Sequence, residues 1–150
     1  MAVSLRPADP SDLAFAQRLY YAEMRWIVER LFGWDDATED VKFARQFVVD
    51  ETRIITLDGR DIGWLQSAVE TDQIFLKQIY VTGEFQRRGI GTQIMQRLFE
   101  EADRHGKPVT LGVVKINPAL ALYQRLGFRT THEDQYKFYM RRDAGQTRAD

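Results

Sequence analysis

The stretch Gln86–Ala102 constrains this chain more than any other. It opens with a short basic loop, Gln-Arg-Arg-Gly-Ile-Gly, and continues into residues whose apolar members recur at helical spacing: Gly91, Ile94, Met95, Leu98, Phe99 and Ala102. Directly before it, Ile74–Val81 has the apolar and aromatic content of a buried strand. A strand, a glycine loop and a helix in this order bring unpaired amide groups and the positive end of the helix dipole to one point. This arrangement is typical of an anion site.

The glycines and arginines of the loop narrow the choice of anion. Gly89 and Gly91 let the backbone approach a ligand, and Arg87 and Arg88 supply charge that a pyrophosphate can use. The dinucleotide pattern Gly-x-Gly-x-x-Gly fails because position 94 is Ile, and the nucleotide-triphosphate loop fails because Gly91 is followed by Thr92 and Gln93. We therefore expect another phosphorylated ligand, the alternative being a plain helix start with solvated arginines.

Two motifs and the order of the elements carry a resemblance to a known family. Gln86-Arg87-Arg88-Gly89-Ile90-Gly91 resembles the Gln/Arg-x-x-Gly-x-Gly/Ala signature of the GNAT acetyltransferases. The segment Asn117–Phe128, NPALALYQRLGF, is similar to the family's Asn-x-x-Ala-x-x-Leu-Tyr-x-x-x-Gly-Phe segment, with a spacing one residue tighter. The resemblance implies an α/β protein with the GNAT acyl-CoA N-acyltransferase fold. That fold is a mixed, mostly antiparallel sheet of six to seven strands flanked by about four helices.

The predicted elements follow from periodicity and turn residues. One domain over residues 1–142 precedes a polar tail at 143–150. The predicted helices are one that starts at Asp9–Asp12 and ends at Gly33, one over Ala37–Val48, one that ends at His105–Pro108 and one from Asn117 to Gly127. In the second of these helices, Val41, Ala44, Phe47 and Val48 are expected to face inward. The predicted strands are Val3–Arg6, Arg53–Leu57, Ile62–Val69, Ile74–Val81, Val109–Val114, Phe128–Thr131 and Gln135–Met140, with a tight turn at Asp58-Gly59.

The resemblance also implies a cosubstrate and roles for particular residues. Acetyl-CoA would donate an acetyl group directly to a primary amine in a ternary complex, with no covalent intermediate. The residues implied in cofactor binding are Ile79, Tyr80 and Val81 beside the pantetheine, the loop residues Gln86, Arg87, Arg88, Gly89, Ile90, Gly91 and Thr92 at the pyrophosphate, and Asn117 and Tyr123. Tyr123 would also protonate the departing thiolate, since a phenol with a pKa of ~10 suits that task. Asn117 has a second reading as a helix cap, and Tyr123 as a half-buried aromatic.

The general base is not assigned by the sequence. Some family members carry a glutamate in the strand before the loop, whereas Ile74–Val81 holds no acidic residue. The candidates are Glu70 and Asp72 beside that strand and Glu29 in the helical region, where Glu23, Asp35 and Asp36 also lie. Such a carboxylate could act through a water chain.

The acceptor is predicted as a class. Trp26–Asp40 combines three large aromatic residues with five carboxylates, which suits a small cationic amine or a lysine or N-terminal amine of a peptide. The alternative for this segment is a negatively charged helix start before Ala37. The alternative for the whole protein is a non-catalytic acyl-CoA-binding sensor of the same fold.

Composition limits the remaining functions. With 21 basic against 22 acidic residues, nothing demands a nucleic acid or an anionic membrane as partner. The absence of cysteine excludes disulfides, thiolate zinc sites and a cysteine nucleophile, and two histidines are too few for a His-rich site, so no metal is expected. We expect a cytoplasmic protein, since no signal pattern or bilayer-length apolar run is present. The resemblance leaves a homodimer open, because dimers are frequent in this family.

Overall fold

The computed structural model describes residues 2–146, so residues 147–150 of the predicted tail lie outside it. Residues 2–146 form four α-helices: α1 (Leu13–Phe32), α2 (Asp36–Gln46), α3 (Ile90–Arg104) and α4 (Ala119–Arg125). The strands are β1 (Val3–Pro7), β2 (Thr52–Leu57), β3 (Arg60–Val69), β4 (Ile74–Val81), β5 (Val109–Val114), β6 (Arg129–Glu133) and β7 (Lys137–Arg142).

These seven strands form one sheet in the order β1-β2-β3-β4-β5-β7-β6. The registers of β1 with β2, β2 with β3, β5 with β7 and β6 with β7 are antiparallel, and that of β4 with β5 is parallel. The predicted fold class, a mixed and mostly antiparallel sheet with about four helices, is confirmed. By their contacts the residues fall into two compact units, which are described separately below.

The first unit consists of the chain up to Gln66 together with Gln78–Gly91. Its core is rich in aromatic rings: Phe43 of α2 and Phe47 just after that helix stack at a centroid distance of 5.9 Å, and both meet the fully buried Trp64 of β3 edge-on. Tyr20 of α1 stacks on Phe43 at 5.3 Å. Helix α1 ends at Gly33 (φ 81°), as predicted. The aromatic rings therefore pack α1 against α2, and α2 against β3.

The predicted inner face of α2 is only partly correct. Of the four residues expected inward, Phe47 is buried, whereas Ala44 is exposed and Val41 and Val48 have exposed fractions of 51% and 39%. The buried residues of the helix itself are Glu39 and Phe43. The helix also ends at Gln46, two residues early, and Phe47 already has an extended backbone (φ −78°, ψ 98°). Phe43 and Phe47 therefore set the rotation of the helix, because aromatic rings bury more area than valine side chains.

The hairpin between β2 and β3 has the predicted turn. Asp58 and Gly59 have φ values of +50° and +83°, the pair of left-handed residues that a type I′ turn requires. The main-chain N–H of Ala2 donates to the Asp58 carboxylate at 2.8 Å, which ties the start of the chain to this turn.

The second unit consists of Ser67–Lys77 together with the chain after Gly91. Within it, α3 buries the predicted stripe of Ile94, Met95, Leu98, Phe99 and Ala102. Val109, Leu111 and Val113 of β5 are buried in alternation, as expected for a strand with one covered face. Arg142 links β7 to α3: its guanidinium lies 4.1 Å from the Phe99 ring centroid and donates to the Asp103 carboxylate at 3.0 Å.

The last two strands lie later in the chain than predicted. The expected ranges were Phe128–Thr131 and Gln135–Met140, whereas the strands cover 129–133 and 137–142. Phe128 instead packs its ring against Phe99 and Tyr123, and Gly127 before it is left-handed (φ 96°). The Asp134 carboxylate accepts the N–H groups of Tyr136 and Lys137 and so holds a turn that delays the second strand.

Within residues 2–146, no helix combines the length and the apolar character needed to cross a membrane.

Candidate functional site

The end of β4 and the loop after it belong to the first unit and are hydrogen-bonded to other parts of it. Thr82 donates its N–H to Ile62 at 2.8 Å, and a single 3₁₀ turn at Gly83–Phe85 follows. The side-chain amide of Gln86 then donates to Glu23 of α1 at 2.6 Å and to the Val81 carbonyl at 2.8 Å. Both amide hydrogens of Gln86 are thereby used, so this residue positions the loop through its side chain.

The next residues give the loop an unusual backbone. Arg87 and Gly89 are both left-handed, with φ values of +63° and +77°, and α3 begins immediately afterwards at Ile90. Alternating backbone conformations of this kind curve a segment so that successive N–H groups point into one concavity, a nest for anions. The first N–H groups of α3 have no acceptor inside the helix, and they adjoin the same segment. A Cβ on Gly89 would meet nothing within 4 Å, so the backbone there faces open space.

Positive charge surrounds this loop. Phe85 is buried, and the guanidinium groups of Arg60 and Arg88 lie 5.1 Å and 5.5 Å from its ring centroid. Glu84 offsets one of them through a 3.3 Å contact with Arg60. Arg87 and Arg88 are exposed, so their charge is available to a ligand. The loop has the geometry and the electrostatics of an anion site.

Of the implied pantetheine residues, Ile79, Tyr80 and Val81 are half-buried residues of β4. The parallel register of β4 with β5 comprises Ile74↔Val109 and Phe75↔Thr110, and so ends before these three residues. The Tyr80 ring lies against Trp64 at 5.3 Å and edge-on to Tyr20 at 5.8 Å. These three residues and the loop from Gln86 to Gly91 belong to the first unit.

Thr92, Asn117 and Tyr123 belong to the second unit. The Asn117 side chain accepts a hydrogen bond from the N–H of Ala119 at 2.9 Å. It therefore caps the start of α4, the alternative role predicted for this residue. Tyr123 is more buried than expected, with an exposed fraction of 9%, and its ring meets Phe128 edge-on at 5.8 Å. Burial raises the pKa of Tyr123 to about 12, because the phenolate would lose its hydration. The residue is a neutral phenol throughout the physiological range.

The three candidate bases have different surroundings. Glu29 is exposed and paired with Arg25 at 2.6 Å, which occupies its carboxylate. Asp72 is exposed in the turn between β3 and β4. Glu70 accepts the Gln73 amide at 2.6 Å and lines a groove of about 490 Å³ in the second unit. The other residues that line this groove are Gln73, Phe75, Thr110, Leu111, Thr131, His132, Tyr139, Met140 and Arg141.

The aromatic and acidic side chains of Trp26–Asp40 contact one another and their neighbours in the chain. The Arg25 guanidinium lies 5.0 Å from the Trp34 ring centroid, where an external cation would otherwise bind. The Trp34 indole donates to Asp36 at 2.7 Å, and Asp35 caps α2 by accepting the N–H of Thr38 at 3.0 Å. These contacts agree with a negatively charged helix start, which was the alternative for this segment.

The structure also contains a hydrogen-bonded network of polar side chains in β3 and β4 that was not predicted from the sequence. Gln66 is fully buried, and its amide nitrogen donates to the Gln46 carbonyl at 2.8 Å and to Glu51 at 3.0 Å. Gln78 of β4 is bonded to Gln66 at 3.5 Å and to Tyr80 at 3.1 Å. The signal was two glutamines in otherwise apolar strands, since polar residues there need internal partners. Among residues 2–146, no group of three or more His, Asp or Glu side chains could hold a metal ion.

The family model of the acetyltransferase (GNAT) domain matches residues 43–130, more than half of the chain. The chain belongs to the GNAT family. The matched range contains β2 to β5, the loop, α3 and α4. The resemblance predicted from the two motifs is thereby confirmed.

The GNAT relatives and structures similar to this chain include enzymes that acetylate amines. A ribosomal protein bS18-alanine N-acetyltransferase of Salmonella typhimurium is 33% identical over 76 residues, which are 49% of this chain and 51% of that protein. A human cysteine-rich protein 2-binding protein is 35% identical over 68 residues, 45% of this chain and 8% of that protein. The chain thus spans about half or less of these relatives.

Among solved structures, the PaiA N-acetyltransferase of Thermoplasma acidophilum in complex with coenzyme A superposes with a TM-score of 0.78. The match covers 95% of this chain and 99% of that one at 16% identity, which supports the shared fold.

Proposed function

We propose that this GNAT protein is an acetyl-CoA-dependent N-acetyltransferase that transfers acetyl directly to a primary amine. The observation that supports the proposal most is the loop, where left-handed Arg87 and Gly89 precede the start of α3. The main-chain N–H groups from Arg87 to Thr92 hold the pyrophosphate of coenzyme A, and exposed Arg87 and Arg88 add charge. Gln86 acts indirectly, because its side chain is bonded to Glu23 and Val81.

Beside the loop, β4 holds the rest of the cosubstrate. The main-chain groups of Ile79, Tyr80 and Val81 pair with pantetheine, as in the family. Their position beyond the register with β5 is consistent with this role. Asn117 supports the pantetheine arm while it caps its helix. Acetyl-CoA is the sole cosubstrate of the proposed reaction, which needs no metal.

The chemistry needs a neutral amine, a polarised thioester carbonyl and a proton for the leaving thiolate. Tyr123 supplies that proton, and its raised pKa keeps it in the protonated form that a general acid requires. Among the candidate bases, Glu70 is favoured over Glu29, since Glu29 is neutralised by Arg25. Asp72 serves equally if a water chain carries the proton.

We further propose that the acceptor is the amine of a peptide or protein. The similarity to the Salmonella relative supports this choice, since that protein is a ribosomal protein bS18-alanine N-acetyltransferase. The occupied face of Trp34 gives no support to a small cation bound in the acidic segment. The protein would work in the cytoplasm, where acetyl-CoA and new polypeptides are available.

A thiol-release assay with acetyl-CoA tests the proposal. The acceptors are a peptide beginning with alanine, a peptide with an internal lysine, and spermidine as a small cationic amine. Turnover with a peptide supports the proposal, and turnover with spermidine alone shifts the acceptor to small amines. Coenzyme A binding without turnover for every acceptor supports the sensor, the alternative that the lack of an acidic residue in β4 favours.

A further inference from the structure

The ring of Phe85 is in contact with a positively charged side chain from each of two separate segments. The guanidinium carbon of Arg60, the first residue of β3, lies 5.1 Å from the ring centroid, and that of Arg88 lies 5.5 Å from it. The ring is buried, whereas both arginines are exposed. All three residues belong to the first unit. The buried ring therefore brings two exposed cations together at the loop that precedes α3.

A main-chain hydrogen bond holds the start of β3 beside this loop. The N–H of Thr82, the residue after β4, donates to the carbonyl of Ile62 in β3 at 2.8 Å. Arg60 comes shortly before Ile62, and Phe85 comes shortly after Thr82. The position of Arg60 thus follows from the pairing of strands that are apart in sequence, so no pattern within residues 86–91 reveals it.

The two guanidinium groups keep hydrogen-bond donors for a ligand. A guanidinium above an aromatic ring uses its flat face and leaves the N–H groups at its edge for other acceptors. Arg60 turns one of its nitrogens to Glu84 at 3.3 Å, in an ion pair whose side chains are 65% and 63% exposed. An ion pair this exposed contributes little, because water and salt screen it. An anion of higher charge therefore displaces the Glu84 carboxylate.

The phosphate groups of coenzyme A differ in charge. Each phosphorus of its diphosphate carries one negative charge, and the proposed function gives this diphosphate the main-chain N–H groups of the loop. The third phosphate, on the ribose, is a monoester with a charge of about −1.5 to −2 at pH 7 and three free oxygens. Such a group favours a pair of guanidinium groups, since each of them donates two parallel N–H bonds to two oxygens.

We propose that Arg60 and Arg88, held together by Phe85, bind the ribose phosphate of coenzyme A. The inference rests on the proposed function, which places the diphosphate at the loop that contains Arg88. Arg60 is then a cosubstrate-binding residue outside the loop motif, and Glu84 competes with the ligand for it. The pair makes the protein distinguish coenzyme A from derivatives that lack the third phosphate.

Isothermal titration with coenzyme A and with dephospho-coenzyme A tests this inference, because the two ligands differ only in the ribose phosphate. We expect the wild-type protein to bind coenzyme A at least about ten-fold more tightly. Arg60→Gln should weaken the binding of coenzyme A about five-fold and that of dephospho-coenzyme A less than about two-fold. Arg88→Gln should lower the same ratio of affinities, and it should also weaken both ligands through its position in the loop.

Glu84→Gln tests the sign of the effect. The substitution removes the competing carboxylate, so the affinity for coenzyme A should rise about two-fold relative to that for dephospho-coenzyme A. Arg45→Gln is the control for net charge, because Arg45 is also an exposed residue of the first unit but lies in the last turn of α2. It should leave the ratio of the two affinities at the wild-type value. Thermal unfolding of each variant checks that it is folded at the titration temperature.

The outcomes separate this inference from the function beneath it. Equal affinities of the wild type for the two ligands overturn the inference and leave the proposed function standing. An Arg60→Gln variant that weakens both ligands equally assigns Arg60 to the diphosphate, and one that weakens neither removes Arg60 from the site; both results overturn the inference. Failure of the wild type to bind coenzyme A overturns the proposed function, and the inference falls with it.

Discussion

Gly63→Ala tests how closely β3 packs against β4, the strand proposed to pair with pantetheine. An ideal Cβ on Gly63 of β3 would lie 2.3 Å from the Tyr80 carbonyl oxygen and 3.2 Å from the Val81 Cα. Ordinary van der Waals contacts of a Cβ begin at 3.4 Å, so one strand must move by about 1 Å. The clashing atoms are backbone, which cannot rotate away as a side chain can.

Overpacking of this size costs about 3 kcal/mol of unfolding free energy. For a chain of this length, such a loss lowers the Tm by about 6 to 12 °C. The shift also displaces the main chain of Tyr80 and Val81, so we expect coenzyme A affinity to fall about ten-fold or more at a temperature where the variant is folded.

Gly83→Ala is the matched control, because a Cβ there meets nothing within 4 Å and its φ lies outside the left-handed range. Differential scanning calorimetry and isothermal titration with coenzyme A measure both effects. If Gly63→Ala melts and binds like Gly83→Ala, the close approach of β3 to β4 at this point is wrong. A lower Tm with unchanged affinity would refute the role of the β4 main chain in binding.

Substitutions at three further positions have defined outcomes. Gly89→Asp should abolish coenzyme A binding, because its carboxylate repels the phosphates. Gly89→Asn tolerates the same φ of +77° without the charge and should still bind measurably. Equal coenzyme A affinities of the two variants in isothermal titration would argue against phosphate at this loop. Tyr123→Phe should lower kcat about 100-fold or more with little change in coenzyme A affinity, and wild-type turnover would remove Tyr123 from the mechanism. Because the pKa of Tyr123 is about 12, its ionisation cannot cause a basic limb of kcat below about pH 11. Asp12→Asn should cost about 1 kcal/mol at pH 7, measured by urea unfolding, and the cost should vanish in acid. The sign follows from the Arg6 hydrogen bonds, which lower the Asp12 pKa: the stabilisation is present above the ordinary pKa of Asp and is lost as pH falls through the lowered one.

The sequence predicted correctly those features that depend only on residues close together in the chain. The turn at Asp58-Gly59 follows from the backbone freedom of that pair, and the end of α1 follows from Gly33. The buried stripe of α3 follows from periodicity, since its apolar residues are all on one face. The motif before α3 identified the family for the same reason, because its chemistry lies within six consecutive residues.

Elements that depend on partners distant in sequence were placed less well. The face of α2 is set by rings from α1 and β3, and no local pattern reveals that Phe43 prevails over Val41. The start of β7 is delayed by a side-chain turn at Asp134. At the site, Arg87 was expected to contribute charge, and its left-handed backbone could not be foreseen in a residue with a Cβ. Trp34 is in turn covered by Arg25, nine positions earlier.

A crystal structure of the protein with bound coenzyme A would show whether the loop binds the diphosphate. We expect diphosphate oxygens within hydrogen-bond distance of main-chain nitrogens between Arg87 and Thr92, with pantetheine alongside Ile79 and Val81. A cosubstrate seated elsewhere at full occupancy, with those nitrogens bonded to other protein atoms, would contradict it.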